Sequence, residues 1–432
     1  MFSEIIGVRC EIVIVGGGAG GLELAARLGR KLGRRQGRDR ILLIDRSVFH
    51  LWKPSLHEVA AGTLDPRQEG LSYAILARRN HFSFQLGDMV GLDAATKTVS
   101  LGPVLDQTGV QLVPPRQIGF GTLVLATGCG SNFFATPGAQ YAHVLEQTRD
   151  AEQFQRQLLA AFTRSAFSPG RQLSIVIVGA GATGVELSAE LIEAHQLLSP
   201  GFADEQQFRL DITLIEAAPR ILAGLPEKVS AKAQAVLEGK GVRVLVGLPV
   251  QALHADRVSA GGQDIEADMI VWAAGIKAAD ANAKFGLATN ALNQFVVDAR
   301  LQTSADDIFA MGDCAACAWG DRQVPARAQA ANQEATYLAG LLLARLQGRR
   351  HDGSFKYRDF GSLVSLGEKR GLGTLMGGLA GRNFLVEGLI AKGMYMSLHL
   401  LHHRAILGIG NTIVLALARL LQRRVSGRLK LH

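Results

Sequence analysis

Short apolar runs that end in glycine clusters set the rhythm of this chain. EIVIV at 11–15 is rich in β-branched residues and runs into Gly16-Gly17-Gly18-Ala19-Gly20-Gly21. LELAARLGRKL follows, with its apolar residues at helical spacing, and a second apolar run, ILLID, occupies 41–45. The pattern is strand, tight turn, helix, strand. It returns further on: SIVIV at 174–178 leads into Gly179-Ala180-Gly181-Ala182-Thr183-Gly184, then VELSAELIEAH and DITLIE at 211–216. A βαβ opening that occurs twice predicts two nucleotide-binding units, and the alternation of strands with helices predicts parallel sheets.

Three later segments read as strand ends carrying functional turns: TLVLATGCG (122–130), MIVWAAGIKA (269–278) and DIFAMGDC (307–314). After about residue 350 the pattern changes. GSLVSL (361–366) and GTLMGG (373–378) read as short strands around a turn, and the rest of the tail reads as helices. The fold class expected is α/β, with two Rossmann-like dinucleotide-binding domains and a C-terminal segment of short strands and amphipathic membrane-surface helices.

Composition sharpens this. A chain of 432 residues with 48% hydrophobic and 19% charged positions has room for two or three packed cores and is not disordered. Four cysteines exclude a disulfide scaffold and suit a reducing compartment, and MFSEIIGVRC shows no secretory signal. The net charge of +8 is not spread out. From Lys369 onward there are ten Lys and Arg against one acid, Glu387, so the tail is strongly basic and the body close to neutral. A nucleic-acid enzyme spreads its basic residues over a binding face, so no nucleic-acid partner is expected.

The longest uncharged stretch of the tail, Ala405 to Ala418, has 14 residues. A spanning helix needs about 20. IVLALARLLQRR at 413–424 instead fits an amphipathic helix, with Ile413, Leu417, Leu420 and Leu421 on one face and Arg419 and Arg423 on another side. Such a helix lies in a membrane interface, held by apolar burial and by attraction to anionic lipid at one leaflet. The alternative is a basic helix docked on the protein's own core or at a dimer interface.

The first loop has the spacing that binds a dinucleotide. Gly16 permits the tight turn, Gly18 lets a pyrophosphate approach the backbone, and Gly21 lets helix and sheet pack closely. The helix N-terminus favours phosphate charge. Asp45 closes the next strand, where a carboxylate accepts hydrogen bonds from ribose hydroxyls. Gly179, Gly181 and Gly184 repeat the arrangement with Glu216 in the place of Asp45. An acid there binds a free 2′-hydroxyl and repels a 2′-phosphate, so NADH is expected over NADPH. The next Arg, Arg220, lies beyond Pro219.

Other residues leave alternatives open. Glu186 is either a helix-start acid that complements the macrodipole or a carboxylate beside the nicotinamide. Gln329 and Gln333 share a face if AQAANQ is helical; they are solvent-exposed glutamines or donors to a quinone carbonyl. Cys314-x-x-Cys317 is a pair of structural thiols or a redox or metal site, and no second CxxC is present to complete four zinc ligands. Cys10 and Cys129 are expected to be packed. His399, His402 and His403 have poor ligand spacing and are expected to be interfacial.

Taken together, IVGGGAGGLELAARLGRKLGR, HLWKPSLHEVAAGTLD, GATGVELSAEL, ADMIVWAAGIKA, IFAMGDCAAC, ARAQAANQ, GSLVSL and RLKLH resemble the two-dinucleotide-binding-domain flavoproteins. Within these the chain is similar to type II NADH:quinone oxidoreductases, the single-subunit, non-proton-pumping NADH dehydrogenases, and to their enterobacterial form. The resemblance runs from Val13 to the C-terminus. It implies that the first fold binds FAD through Gly16, Gly18, Gly20 and Gly21, with Asp45 on the adenosine ribose, Arg46 beside it and the Met89 backbone at the adenine. Thr127 and Gly128 belong to a turn near the flavin. Asp313 meets the ribitol or pyrophosphate, Ala328 and Gln329 approach the isoalloxazine, and Lys392 reaches the flavin from the tail.

On the same resemblance NADH is a substrate held by Gly179, Gly181, Gly184, Glu186, Glu216 and Gly275. Glu186 lies where nicotinamide and quinone both meet the flavin, and Gln329 and Gln333 match a quinone motif. Related disulfide reductases carry a cysteine pair after the first fold; residues 46–60 contain none here.

The organisation expected is a discontinuous FAD-binding domain (1–146 and 290–350), an NADH-binding domain (147–289) and a membrane-association segment (351–432). The function expected is respiratory-chain electron transport: NADH oxidation through FAD with reduction of a membrane quinone such as ubiquinone. The location expected is peripheral, on the cytoplasmic face of a bacterial inner membrane, and a homodimer is compatible with it. The alternatives are a soluble NADH-dependent reductase of a ferredoxin-like protein, a sulfide:quinone reductase, which would need catalytic cysteines, and a flavin-bound redox sensor without turnover.

Overall fold

A computed structural model describes residues 6–167, 172–199, 209–367, 371–376 and 383–425. The run from Ile6 to Val15 forms the centre of a seven-stranded sheet. It pairs in parallel with Ile41–Asp45 on one side and with Arg116–Leu125 on the other. The late strand Ile308–Ala310 joins the same sheet beside Arg116–Leu125, although nearly 200 residues separate the two in sequence. The second sheet has five parallel strands, with Gln172–Val178 between Met269–Trp272 and Arg209–Ile215. In both sheets the central strand is buried on both faces, which is why it reads as a continuous apolar run rather than as an alternation. The helices Ala19–Arg40 and Ala182–Leu198 follow the two central strands, as the pattern predicts.

The tail begins with an antiparallel sheet of Gly361–Ser365, Gly371–Met376 and Asn383–Glu387. The third of these strands was not anticipated. Two helices follow, Gly388–Leu407 and Ile409–Val425. The tail is built into the body. Val364, Leu366 and Leu372 belong to the core of the second sheet, and Ile406 and Leu407 to that of the first. Carbonyls in the last turn of Gly388–Leu407, which have no partner within their own helix, are capped from the first unit. Arg30 donates to Ala405 O at 2.6 Å and Asn80 to Ile406 O at 2.9 Å. Ile390, Leu398, Leu401, Ile409, Ile413, Val414, Leu417 and Leu421 remain exposed along the two helices. Among the described residues no helix is long and apolar enough to cross a membrane.

Two expectations for the tail need correction. His402 and His403 are buried rather than interfacial. Arg419 does not join a lipid-facing basic stripe: its guanidinium is paired with Glu69 and lies 3.4 Å from His403 Nε2. Both follow from the sides of the two helices that pack inward. Leu420 and Arg423 have side chains outside the described set.

Candidate active site

The two glycine loops are built alike. Gly16 and Gly179 have φ of +104° and +100°, a backbone region that favours glycine. A Cβ on Gly21 would stand 1.9 Å from Gly16 O, and one on Gly184 would stand 2.0 Å from Gly179 O. The middle glycines differ. Nothing lies within 4 Å of a Cβ placed on Gly18 or Gly181, and each caps its helix without a side-chain hydrogen bond. Open space in front of free N–H groups is what a pyrophosphate requires. Gly20 packs against Met311 and Ala331, so it serves the contact with helix Ala328–Leu346.

A carboxylate locks each loop. Asp45 accepts from Gly17 N–H at 2.6 Å and Ser47 N–H at 2.8 Å; Glu216 accepts from Ala180 N–H at 2.7 Å and Ala218 N–H at 2.9 Å. Burial raises the Asp45 carboxyl, against the pull of these two N–H groups. Arg46 is exposed beside it, and Met89 is buried at the start of an edge strand of the same sheet. Arg220 is committed to the carbonyls of Leu222, Ala223 and Leu225, at 3.3, 2.6 and 2.8 Å.

The ATG and GD turns meet at the ends of Arg116–Leu125 and Ile308–Ala310. Thr127 Oγ1 is buried beside the Cys314 thiol, and Gly128 next to it faces open space. Asp313 lies in the turn Gly312–Cys314, its carboxyl raised by burial and lowered by Lys53. Lys53 Nζ donates to Cys129 O at 2.8 Å. Glu334 accepts from Gly312 N–H at 2.6 Å, and burial pushes its carboxyl up to about 7. The open glycine cradle at Gly18 and the open face at Gly128, on one sheet end, fit a dinucleotide cofactor. Cys314 and Cys317 are buried thiols that donate to backbone carbonyls, and all four cysteines are free.

Glu186 is buried where the second loop helix, the segment 53–65 and the tail converge. Its Oε1 accepts from Ser365 N–H at 2.9 Å, its Oε2 lies 3.6 Å from His57 Nδ1, and Tyr395 bonds it from the tail. Glu190, one turn on, accepts from Thr63 Oγ1 at 2.6 Å; burial raises its carboxyl, as does repulsion from Glu58. Gln329 and Gln333 share one face of helix Ala328–Leu346, and their amides are tied to the segment entering the tail sheet. Gln329 donates to Gly361 O at 2.9 Å, and Gln333 exchanges bonds with the Arg358 backbone at 2.9 and 3.0 Å. Ala328 is the first residue of that helix. Gly275 has φ +65° and a carbonyl that accepts from Asn132 N–H at 3.4 Å. The Lys392 side chain lies outside the described residues.

A sequence profile of the pyridine nucleotide-disulphide oxidoreductases matches residues 10–335. A type II NADH:quinone oxidoreductase of Haemophilus influenzae is 40% identical over 98% of this chain and 100% of its own length. The chain belongs to the type II NADH:quinone oxidoreductases. The fold agrees: NDH2 of Plasmodium falciparum, solved in complex with NADH, superposes with a TM-score of 0.80 at 16% identity over 97% of this chain and 99% of that one. The sulfide:quinone oxidoreductase of Aquifex aeolicus reaches 0.72 at 17% identity, over 99% and 96%. Fold alone therefore does not separate the type II enzymes from a sulfide:quinone oxidoreductase, whereas sequence identity does. Sequence reasoning missed Lys53, His57, Glu190, Glu334 and Tyr395. HLWKPSLHEVAAGTLD held the signal for two of them, Lys53 and His57, as a run of His, Lys and Glu inside an otherwise apolar stretch.

Proposed function

We propose that the chain oxidises NADH through FAD and reduces a membrane quinone, without proton pumping. FAD, when bound, accepts a hydride from NADH and passes two electrons to the quinone. The chain's residues bind, orient and supply protons. The first loop holds FAD, with Asp45, Arg46 and Met89 at its adenosine end and Thr127, Gly128, Asp313, Ala328, Gln329 and Lys392 towards the flavin. The second loop holds NADH, with Glu216 on the ribose and Gly275 and Glu186 towards the nicotinamide. Residues 1–146 with 290–350 form the FAD unit, 147–289 the NADH unit and 351–432 the membrane segment. The observation that carries this reading is the pair of carboxylate-locked glycine loops with Glu186 buried beyond the second.

Gln329 and Gln333 brace the segment 358–361 from the helix that begins beside the GD turn, which suits a quinone channel bordered by the tail. The exposed apolar residues of the two tail helices seat the protein on one leaflet, with anionic lipid meeting the basic residues around them. We place it on the cytoplasmic face of a bacterial inner membrane; a homodimer is compatible with this and not required by it. The test is NADH:quinone turnover by purified protein with its flavin extracted and identified. Oxidation of NADH with ferredoxin but not quinone would favour the soluble-reductase alternative, and flavin binding without turnover the sensor.

A further inference from the structure

The reaction consumes a proton: NADH + H⁺ + quinone give NAD⁺ + quinol. The quinone gains two electrons and two protons. One proton arrives with the hydride of NADH, and the other has to come from solvent into a site covered by the tail. Glu186 is the acid at that site but is itself buried, so it needs a resupply route.

His57 supplies the geometry for one. Its ring is buried between two carboxylates, with Nδ1 at 3.6 Å from Glu186 Oε2 and Nε2 at 4.0 Å from Glu58 Oε1. Nε2 is fully shielded and has no hydrogen-bond partner, which leaves it free to take a proton. Glu58 is 18% exposed and so touches water, whereas Glu186 is 7% exposed. The titratable groups facing this ring are Glu58 on its own helix, Glu186 and Glu190 on helix Ala182–Leu198, and Tyr395 behind Glu186 on the tail. A neutral imidazole takes a proton at one nitrogen and gives one from the other. Both gaps exceed hydrogen-bond length, and a shift of about 1 Å closes them. A working relay requires that closure when substrate binds.

We propose that His57 is a proton-relay residue that recharges Glu186 from solvent by way of Glu58. The proposal rests on Glu186 lying at the reacting site. In each turnover Glu186 gives its proton to the reduced quinone oxygen, His57 Nδ1–H replaces it, Nε2 takes a proton from Glu58, which regains one from water, and the imidazole returns to its Nδ1–H tautomer before the next cycle. No electrons move along this path.

The test uses full-length enzyme with its flavin. His57→Gln should slow reoxidation by quinone at least about tenfold, within the range for a lost acid–base group, and leave reduction by NADH within about twofold. Added imidazole should restore part of the rate, and the solvent isotope effect on reoxidation should rise. Glu58→Gln, at a partly exposed position, should slow the same step several-fold and serves if His57→Gln fails to fold. In ¹⁵N-histidine spectra of the resting protein, the His57 resonance should move in Glu186→Gln and in Glu58→Gln. Wild-type reoxidation in both variants overturns the relay, as does a slowdown shared by both half-reactions without imidazole rescue. Glu186→Gln separates the two levels: normal reoxidation there removes Glu186 from the site and the relay with it, whereas slow reoxidation with normal His57→Gln removes the relay alone.

Discussion

His402 Nδ1 and Glu23 Oε1 lie 2.8 Å apart, both buried, although 379 positions separate them in the chain. The contact ends a chain of polar bonds that links a tail helix to the first glycine loop. Gly17 O only accepts, so His50 Nδ1–H must donate to it, at 3.0 Å. A neutral His50 then accepts at Nε2 from His402 Nε2–H, at 2.8 Å. That leaves His402 Nδ1 as an acceptor, and Glu23 must carry the proton. Burial agrees, since it raises the Glu23 carboxyl to about 7 despite Arg27, and lowers His402 to about 3.

This clasp has a pH signature. The folded chain holds the Glu23 proton more tightly than the unfolded chain, where the ordinary value is 4.5. Its contribution is complete below about 4.5 and is lost as pH rises through about 7, a change of order 3 kcal/mol. Glu23→Gln keeps a donor and has nothing to titrate. Melting curves should therefore show wild type and Glu23→Gln converging near pH 5 and the variant gaining by pH 8. Glu23→Ala, which leaves His402 Nδ1 unpaired, should lose about 1–3 kcal/mol at pH 5. A pH-independent gap between wild type and Glu23→Gln would place the proton elsewhere.

Coenzyme choice should follow Glu216. Its carboxylate is held by two N–H groups, and Arg220 is engaged with three carbonyls and so is not placed to receive a 2′-phosphate. NADH should exceed NADPH in kcat/KM by at least about tenfold, roughly 1.4 kcal/mol, and Glu216→Ala should narrow the gap. Equal kcat/KM for the two nucleotides in wild type would refute the assignment.

Gln333→Leu breaks both bonds to the Arg358 backbone. Stopped-flow absorbance at the flavin band should show reduction by NADH nearly unchanged and reoxidation by quinone slowed. A collapse of the NADH step with normal reoxidation would detach this helix face from the quinone.

Membrane binding is better tested by substitution than by truncation, because removing 405–432 takes Ile406 and Leu407 out of the first core. Glu at Ile413, Leu417 and Leu421, all exposed, should move much of the protein off anionic vesicles in co-sedimentation while the melting temperature holds. Salt alone should extract wild type only partly, since screening weakens the electrostatic part and leaves the apolar one. Complete release in moderate salt would rule out an apolar anchor.

The sequence by itself determined the two glycine loops, their acids Asp45 and Glu216, and the strands around them. A strand, a turn and a helix are set by neighbours a few positions apart, so period and glycine spacing suffice. The apolar face of the last helix was legible for the same reason. The setting of Glu186 was not, because His57, Ser365 and Tyr395 come from three remote segments, and no local spacing predicts which of them meet. The histidines of the tail show the same limit. Helical periodicity puts His399, His402 and His403 on neighbouring turns, but only packing against Trp52, Glu23, His50 and Arg419 decided that this side faces inward, because burying a polar side chain is tolerable only where a remote partner completes its hydrogen bonds.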